Sequence, residues 1–429
     1  MYISRTLRKI AAFFLLLLPM QRFPAQLIVF VSNKPPDSLP FWIRFFGYTD
    51  ELSFLVFVFI VFTFWAMKPA TFKFPSLPMT KWLMLFIIFA FIVGMAKRIP
   101  LIQATFGTYD NVKNLVIIYL FAMMAFSRDE FISLLKSLII TGLILAAIGM
   151  IGIFLAITVG WGEHLFVMES GRFIPFQTFS LAGSGNQNYL GIYATLLFFL
   201  SYSFTEPLTK FSRFNIFLLL ILTVSRQAWM SFLAVFSFFK RKKVLIIGLP
   251  ILFLAIVLTM GSKAEIDPNE YFRLFAFLES LRILKEHPFT GVGPGMFGGL
   301  ASVLWQSPIY DNWPMLMKWW VYKIRSIDSF WPVIWGELGI IGFALFVAGV
   351  LSLFFFLRRL ASAFSQAADT QLATIGRTLQ WFMIALAIMG FAGGWNCPFV
   401  TYTYFALVGI YVSLYEEMDA AGEAAGRVS

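Results

Sequence analysis

Apolar residues in this chain come in long blocks, and it is the blocks that set its organisation. About 20 apolar residues cross a ~30 Å hydrocarbon layer as a helix. By that ruler the blocks predict about twelve spans: 10–32, 51–67, 79–96, 113–126, 131–159, 188–204, 212–224, 226–240, 244–260, 330–357, 378–394 and 398–415. The first block, Ile10 to Leu18, follows Arg5, Arg8 and Lys9, as in a signal peptide, but no small-x-small cleavage site comes after it. It reads as an uncleaved span broken near Pro19 and Pro24.

Lys and Arg placement gives these spans a direction. With the N-terminus inside, the cytoplasmic segments collect more than twice the basic residues of the short external loops, and Lys240-Arg241-Lys242-Lys243 is the strongest anchor. Both termini are therefore expected in the cytoplasm. Residues 261–329 contain no span, and a structureless loop of that length is uncommon. They are expected to fold into a small helical cap on the outer face. The organisation is then 1–260 with spans 1–9, 261–329 as the cap, and 330–429 with spans 10–12 and a cytoplasmic tail.

Within the cap a helix is predicted from Asp267 (N-cap), Pro268 (first turn) and Glu270, a variant of the capping box. Leu274, Phe277, Leu278, Leu281 and Leu284 form its predicted buried stripe, with Arg273 off the stripe and Pro288 ending the helix. Gly291, Gly293, Gly295, Gly298 and Gly299 follow as a tight, irregular turn.

Composition confirms the class. Of 429 residues 59% are hydrophobic and 13% charged, and 53 are Phe, against roughly 25% charged in a soluble domain. A soluble enzyme, a disordered chain and a nucleic-acid-binding domain are excluded. The net charge of +11 fits basic loops facing lipid headgroups or an anionic substrate. Cys397 is the only cysteine, and His164 and His287 lie far apart. No disulfide, metal site or cofactor is expected.

Ionisable residues are scarce inside the predicted spans, Arg22 excepted, and collect near the outer surface. Arg226, in Thr223-Val224-Ser225-Arg226-Gln227, stands between two apolar runs with hardly any loop. It reads either as an anion ligand or as a side chain snorkelling to lipid phosphate. Arg273 reads as a ligand or as part of a solvated helix face. Arg282 ranks lower as a ligand because Glu286 lies at i,i+4. The glycine cluster offers amides to phosphate or close packing to the chain. Trp305, Tyr310, Trp313, Trp319, Trp320 and Tyr322 offer rings to sugars or anchors to the membrane interface. Asp328, in Ser326-Ile327-Asp328-Ser329-Phe330, reads as a helix N-cap or as a carboxylate base. Glu337 follows in Gly336-Glu337-Leu338-Gly339.

The order of these motifs is distinctive. Gly183-Ser184-Gly185-Asn186-Gln187-Asn188-Tyr189-Leu190-Gly191 opens a span, and Ser225-Arg226 follows. Then come Tyr271-Phe272-Arg273, His287-Pro288-Phe289-Thr290-Gly291-Val292-Gly293-Pro294-Gly295, Asp328 and the Gly-Glu-Leu-Gly step. Over roughly residues 180–345 this resembles the superfamily of O-antigen polymerases and O-antigen ligases.

The resemblance implies a GT-C-like membrane glycosyltransferase of the bacterial inner membrane, working on undecaprenyl-diphosphate-linked glycans at the periplasmic face. It implies Arg226 and Arg273 as diphosphate ligands; Asp328 is the candidate base, and Asn188, Arg282 and Glu337 are the substrate-binding candidates. Ligases carry a His at the re-entry motif, where this chain has Asp328-Ser329, a departure that favours a metal-independent polymerase. The expected partners are the lipid-linked donor and acceptor, membrane lipids and a chain-length regulator, with no nucleic acid. The alternatives are a ligase acting on lipid A core or protein, and a lipid or glycan transporter.

Overall fold

The computed structural model describes residues 2–20, 49–67, 74–159, 187–223, 225–240, 272–327, 329–393, 395 and 397–426. Among them the fold is all-helical. In chain order the helices are α1 (Tyr2–Leu17), α2 (Thr49–Met67), α3 (Met79–Ala96), α4 (Leu101–Met123), α5 (Arg128–Val159), α6 (Gln187–Leu200), α7 (Pro207–Leu222), α8 (Arg226–Lys240), α9 (Phe272–Glu286), α10 (Leu300–Leu304), α11 (Met315–Ile324), α12 (Phe330–Gln366), α13 (Thr370–Ala392) and α14 (Pro398–Gly426).

Five segments among the described residues are long and apolar enough to cross a membrane: Met79–Ala96, Arg128–Ile151, Phe330–Gln366, Thr370–Phe391 and Pro398–Asp419. The chain is a multi-pass membrane protein. Residues 51–67 form a shorter apolar helix, and α6, α7 and α8 are shorter again. The predicted span 244–260 and part of 10–32 lie outside the described residues.

Local chemistry sets several boundaries. Ser127 and Glu130 make a reciprocal capping box at the start of α5: the Glu130 amide donates to Ser127 Oγ (3.3 Å) and the Ser127 amide to Glu130 Oε2 (3.0 Å). Pro207 opens α7 at its first turn. Asp369 caps α13, accepting from the Leu372 amide at 3.0 Å. α12 pairs with α13, and α14 lies against α4 so closely that a Cβ on Gly409 would collide with the Ile118 carbonyl.

Two expectations need correction. The stretch predicted as a span at 113–126 belongs to a longer helix that begins at Leu101, one face of which carries Gln103, Asp110, Asn111 and Asn114, all buried in the protein. Those polar residues depress the local hydropathy although they never meet lipid. In the cap, Leu274, Leu278 and Leu281 are exposed, and α9 buries Phe272, Phe275, Ala276, Ser280 and Ile283 instead. The buried face is thus rotated from the predicted leucine stripe. The helix ends at Glu286, ahead of Pro288 as predicted, while Asp267, Pro268 and Glu270 lie outside the described residues.

Helix α12 is interrupted. Gly339 has φ 62° and ψ −165°, and the chain folds back there, so that the Phe330 and Phe346 rings (5.3 Å) and the Trp335 and Phe343 rings (5.5 Å) meet across the break. Residues Phe330 to Gly339 are all buried, whereas Ile340 and Ile341 beyond the break are exposed.

Candidate functional site

The Ser225-Arg226 junction is built by one hydroxyl. Ser225 Oγ accepts from the Ala228 amide (3.1 Å), the N-cap bond of α8, and donates to Asn188 Oδ1 (2.7 Å) at the start of α6. Gly191, one turn further along α6, permits this approach, since a Cβ there would collide with Ala228. Arg226 is left exposed at the first position of α8, pointing a permanent charge away from the bundle.

Gln227 turns inward, and its Nε2 donates to the Met389 carbonyl (2.9 Å) near the end of α13. That helix closes at Gly393, whose carbonyl accepts from the Phe330 amide (3.3 Å) at the start of α12. Ser329 Oγ donates to the Phe391 carbonyl (3.3 Å) and Trp331 Nε1 to the Ala387 carbonyl (2.7 Å). A Cβ on Gly393 would stand 3.1 Å from the Tyr189 ring and 3.5 Å from Gln227 Nε2. Four helix ends therefore meet at Gly393: the starts of α6, α8 and α12 and the end of α13. Asn188 and Arg226 belong to this meeting point. Asp328 lies outside the described residues.

Two of the other candidates, Arg273 and Arg282, lie on α9, and Glu337 lies on α12. Arg273 is half-buried in the first turn of α9. Arg282, on the exposed face of α9, forks to Glu279 (2.9 Å) and Glu286 (3.0 Å), so its own helix takes up the guanidinium, as the i,i+4 spacing anticipates. α9 is tied to α12 where Trp335 Nε1 donates to Ser280 Oγ at 3.0 Å.

Glu337 is 1% exposed. Its carboxylate accepts from Asn111 Nδ2 (3.0 Å) on α4 and from the Phe297 amide (3.4 Å). This is the environment of a clamp between α12, α4 and the glycine loop rather than of an open substrate contact. The main chain repeats the clamp. The break at Gly339 frees the carbonyls of Gly336 and Glu337, which accept from the Val292 (2.9 Å) and Gly293 (2.7 Å) amides, while Ile340 donates back to Pro288 (2.8 Å). The glycines serve close packing: a Cβ on Gly291 would collide with the α12 backbone, and one on Gly107 of α4 with the Gly295 nitrogen. Lys97 lays its stem near Gly293, and burial lowers its pKa.

The aromatic set divides. Tyr310 and Trp313 are buried in the cap core, where the Tyr310 hydroxyl accepts from the Gly298 amide (2.7 Å) and shares a bond with Ser302 (2.7 Å). Burial raises its phenol above the ordinary range. Trp305, Trp319 and Tyr322 are exposed.

Sequence reasoning missed the polar face of α4. Besides Gln103, which donates to the Gly295 carbonyl (2.9 Å), it holds Asp110 paired with Lys113 (2.6 Å) and Asn114 donating to the Trp395 carbonyl (2.9 Å). The signal was present: Gln103, Gly107, Asp110, Asn111 and Asn114 recur at helical spacing.

No curated protein matches the chain. Residues 214–347, the stretch holding Arg226, Arg273, Arg282, the glycine loop, Asp328 and Glu337, match the family model described as O-antigen ligase, a match that supports the O-antigen ligase and polymerase superfamily.

Proposed function

We propose that this protein is a membrane glycosyltransferase that polymerises undecaprenyl-diphosphate-linked repeat units at the periplasmic face of the bacterial inner membrane. About twelve spans in a GT-C-like arrangement and cytoplasmic termini complete the reading. In the reaction, an acceptor hydroxyl forms a bond to the anomeric carbon of the growing chain. The bond from that carbon to the lipid diphosphate breaks, and the diphosphate leaves with the electron pair. Arg226 and Arg273 stabilise the developing charge by always-charged, bidentate contacts without a metal. Asp328 takes the hydroxyl proton. Asn188 acts through Ser225, fixing the turn that presents Arg226.

The observation that carries this reading is the geometry of Arg226. Its neighbours Ser225 and Gln227 are both buried and hydrogen-bonded, while the Arg226 side chain is exposed and makes no hydrogen bond to a described residue. A cation on so rigid a turn is pre-organised for an anionic ligand. The family match supports transfer of a lipid-linked glycan in general.

Replacing Arg226 or Arg273 by Ala should cut long-chain product roughly 100-fold or more, with protein level and membrane insertion unchanged. Wild-type chain lengths in both variants would overturn the mechanism. The family match is equally compatible with a second reading, a ligase. Inactive ligase leaves full-length polymer on the lipid carrier, whereas inactive polymerase leaves single repeat units, so the stranded glycan decides between them.

A further inference from the structure

Helix α11 has two apolar faces, and the cap uses only one. Met317 and Val321 are completely buried against the cap core. On the opposite face Met315, Trp319 and Tyr322, at i, i+4 and i+7, are 87%, 50% and 41% exposed, with Leu316 beside them at 48%. Basic residues flank this face: Lys318 along one edge and Lys323 along the other, with Arg325 just beyond the helix. None of the three has a carboxylate partner among the described residues. Lys323 Nζ lies 4.2 Å from the Trp319 ring centre, holding its charge at the margin of the aromatic surface.

Tryptophan and tyrosine between lysines suit the boundary of acyl chains and headgroups. The chain also delivers α11 to that depth. Only five residues separate Ile324 from the start of α12, a reach of at most about 20 Å. Elsewhere on the cap, the Trp305 ring lies 5.8 Å from Phe106 of α4, whose neighbours Leu101 and Ile102 are exposed as lipid-facing residues are. The cap thus rests at the rim of the membrane.

We infer that α11 is an interfacial helix that seats the cap on an anionic phospholipid surface, with Met315, Trp319 and Tyr322 dipping into the leaflet and Lys318 and Lys323 meeting lipid phosphates. The positive flanks favour a negatively charged membrane over a neutral glycan as occupant.

The test uses the full chain in nanodiscs. Cys397 is the only cysteine and is buried, so a Cys397→Ser background carrying Tyr322→Cys takes one fluorescent label, and Glu206→Cys, at an exposed position in the turn before α7, serves as control. In phosphatidylglycerol discs, lipid-borne nitroxides should place the label at 322 roughly 5–10 Å into the headgroup and acyl boundary, while an aqueous nitroxide quenches the label at 206. Quenching at 322 chiefly from water, or shielding of that label by added polysaccharide instead of lipid, overturns the proposal. Lys318→Glu with Lys323→Glu should raise aqueous quenching at 322 in phosphatidylglycerol but not in phosphatidylcholine discs; an equal response in both lipids overturns the anionic preference.

Discussion

The two ends of the helical bundle hold their charge in opposite ways. At the end bearing the cap, polar groups are taken inside and hydrogen-bonded: Glu337 with Asn111 and the Phe297 amide, Gln103 with the Gly295 carbonyl, Asn114 with the Trp395 carbonyl. At the other end, basic side chains near the surface bridge to carboxylates: Arg128 to Asp369 and Lys136 to Glu206. Buried, satisfied bonds fix a geometry because breaking one strands its partner. Exposed pairs contribute little and yield to salt. The bundle is therefore rigid where the Arg226 turn and the glycine loop must hold their shape. It is merely fastened where the chain turns back.

If that contrast is real, damage should be far greater at the cap end. The largest effect is expected for Gly107→Ala. A single methyl there meets the backbone nitrogen of Gly295, and neither helix nor loop can yield without breaking the bonds between Val292, Gly293 and α12. A loss at the upper end of the roughly 1–3 kcal/mol typical of overpacking should appear in thermal unfolding, with increased proteolysis within 288–299. Glu337→Ala comes next. It leaves Asn111 Nδ2 and the Phe297 amide unpaired in a dry interior, at about 1–3 kcal/mol. Hydrogen exchange should then rise in the glycine loop and stay unchanged in α13; a rise in both would mean that Glu337 supports the whole bundle.

How much of this was readable in the sequence depended on whether a residue's partner lay nearby in the chain. The fork of Arg282 to Glu286 and the helix stop before Pro288 are local, and spacing reveals them. The span at 79–96 is legible because its lipid face is continuous. The buried bonds of Glu337 were not legible because its partners, Asn111 and Phe297, come from distant segments. The break at Gly339 looked like an ordinary Gly-Glu-Leu-Gly step because only the opposing strand of loop, Val292 and Gly293, gives its carbonyls somewhere to bond. The inward polar face of α4 was lost for the same reason: hydropathy measures contact with lipid, and this face contacts protein. The leucines of α9 misled in the reverse direction, since the cap buries its phenylalanines and leaves Leu274, Leu278 and Leu281 outside.

The smallest effects belong to the basic end, and pH sharpens them. Burial works against ionisation of Asp369, but the hydrogen bonds from Arg128 and the Leu372 amide outweigh it and hold the carboxyl below its usual range. A depressed folded-state pKa means that the contribution is complete above the ordinary carboxylate value and fades as pH falls through the depressed one. The stability difference between the protein and Asp369→Asn should therefore be constant at neutral pH and shrink in acid; a constant difference down to pH ~2 would show that the pair adds nothing. Lys136→Ala should do less still. Its partner Glu206 is 53% exposed and Lys136 itself 41%, so the pair competes with water on both sides. Its removal should cost about 0.2–1 kcal/mol at low salt and nothing measurable at 1 M, where the Debye length of ~3 Å screens the pair. A salt-independent loss as large as that of Glu337→Ala would mean that this end too is built from buried bonds, and the contrast between the two ends would fail.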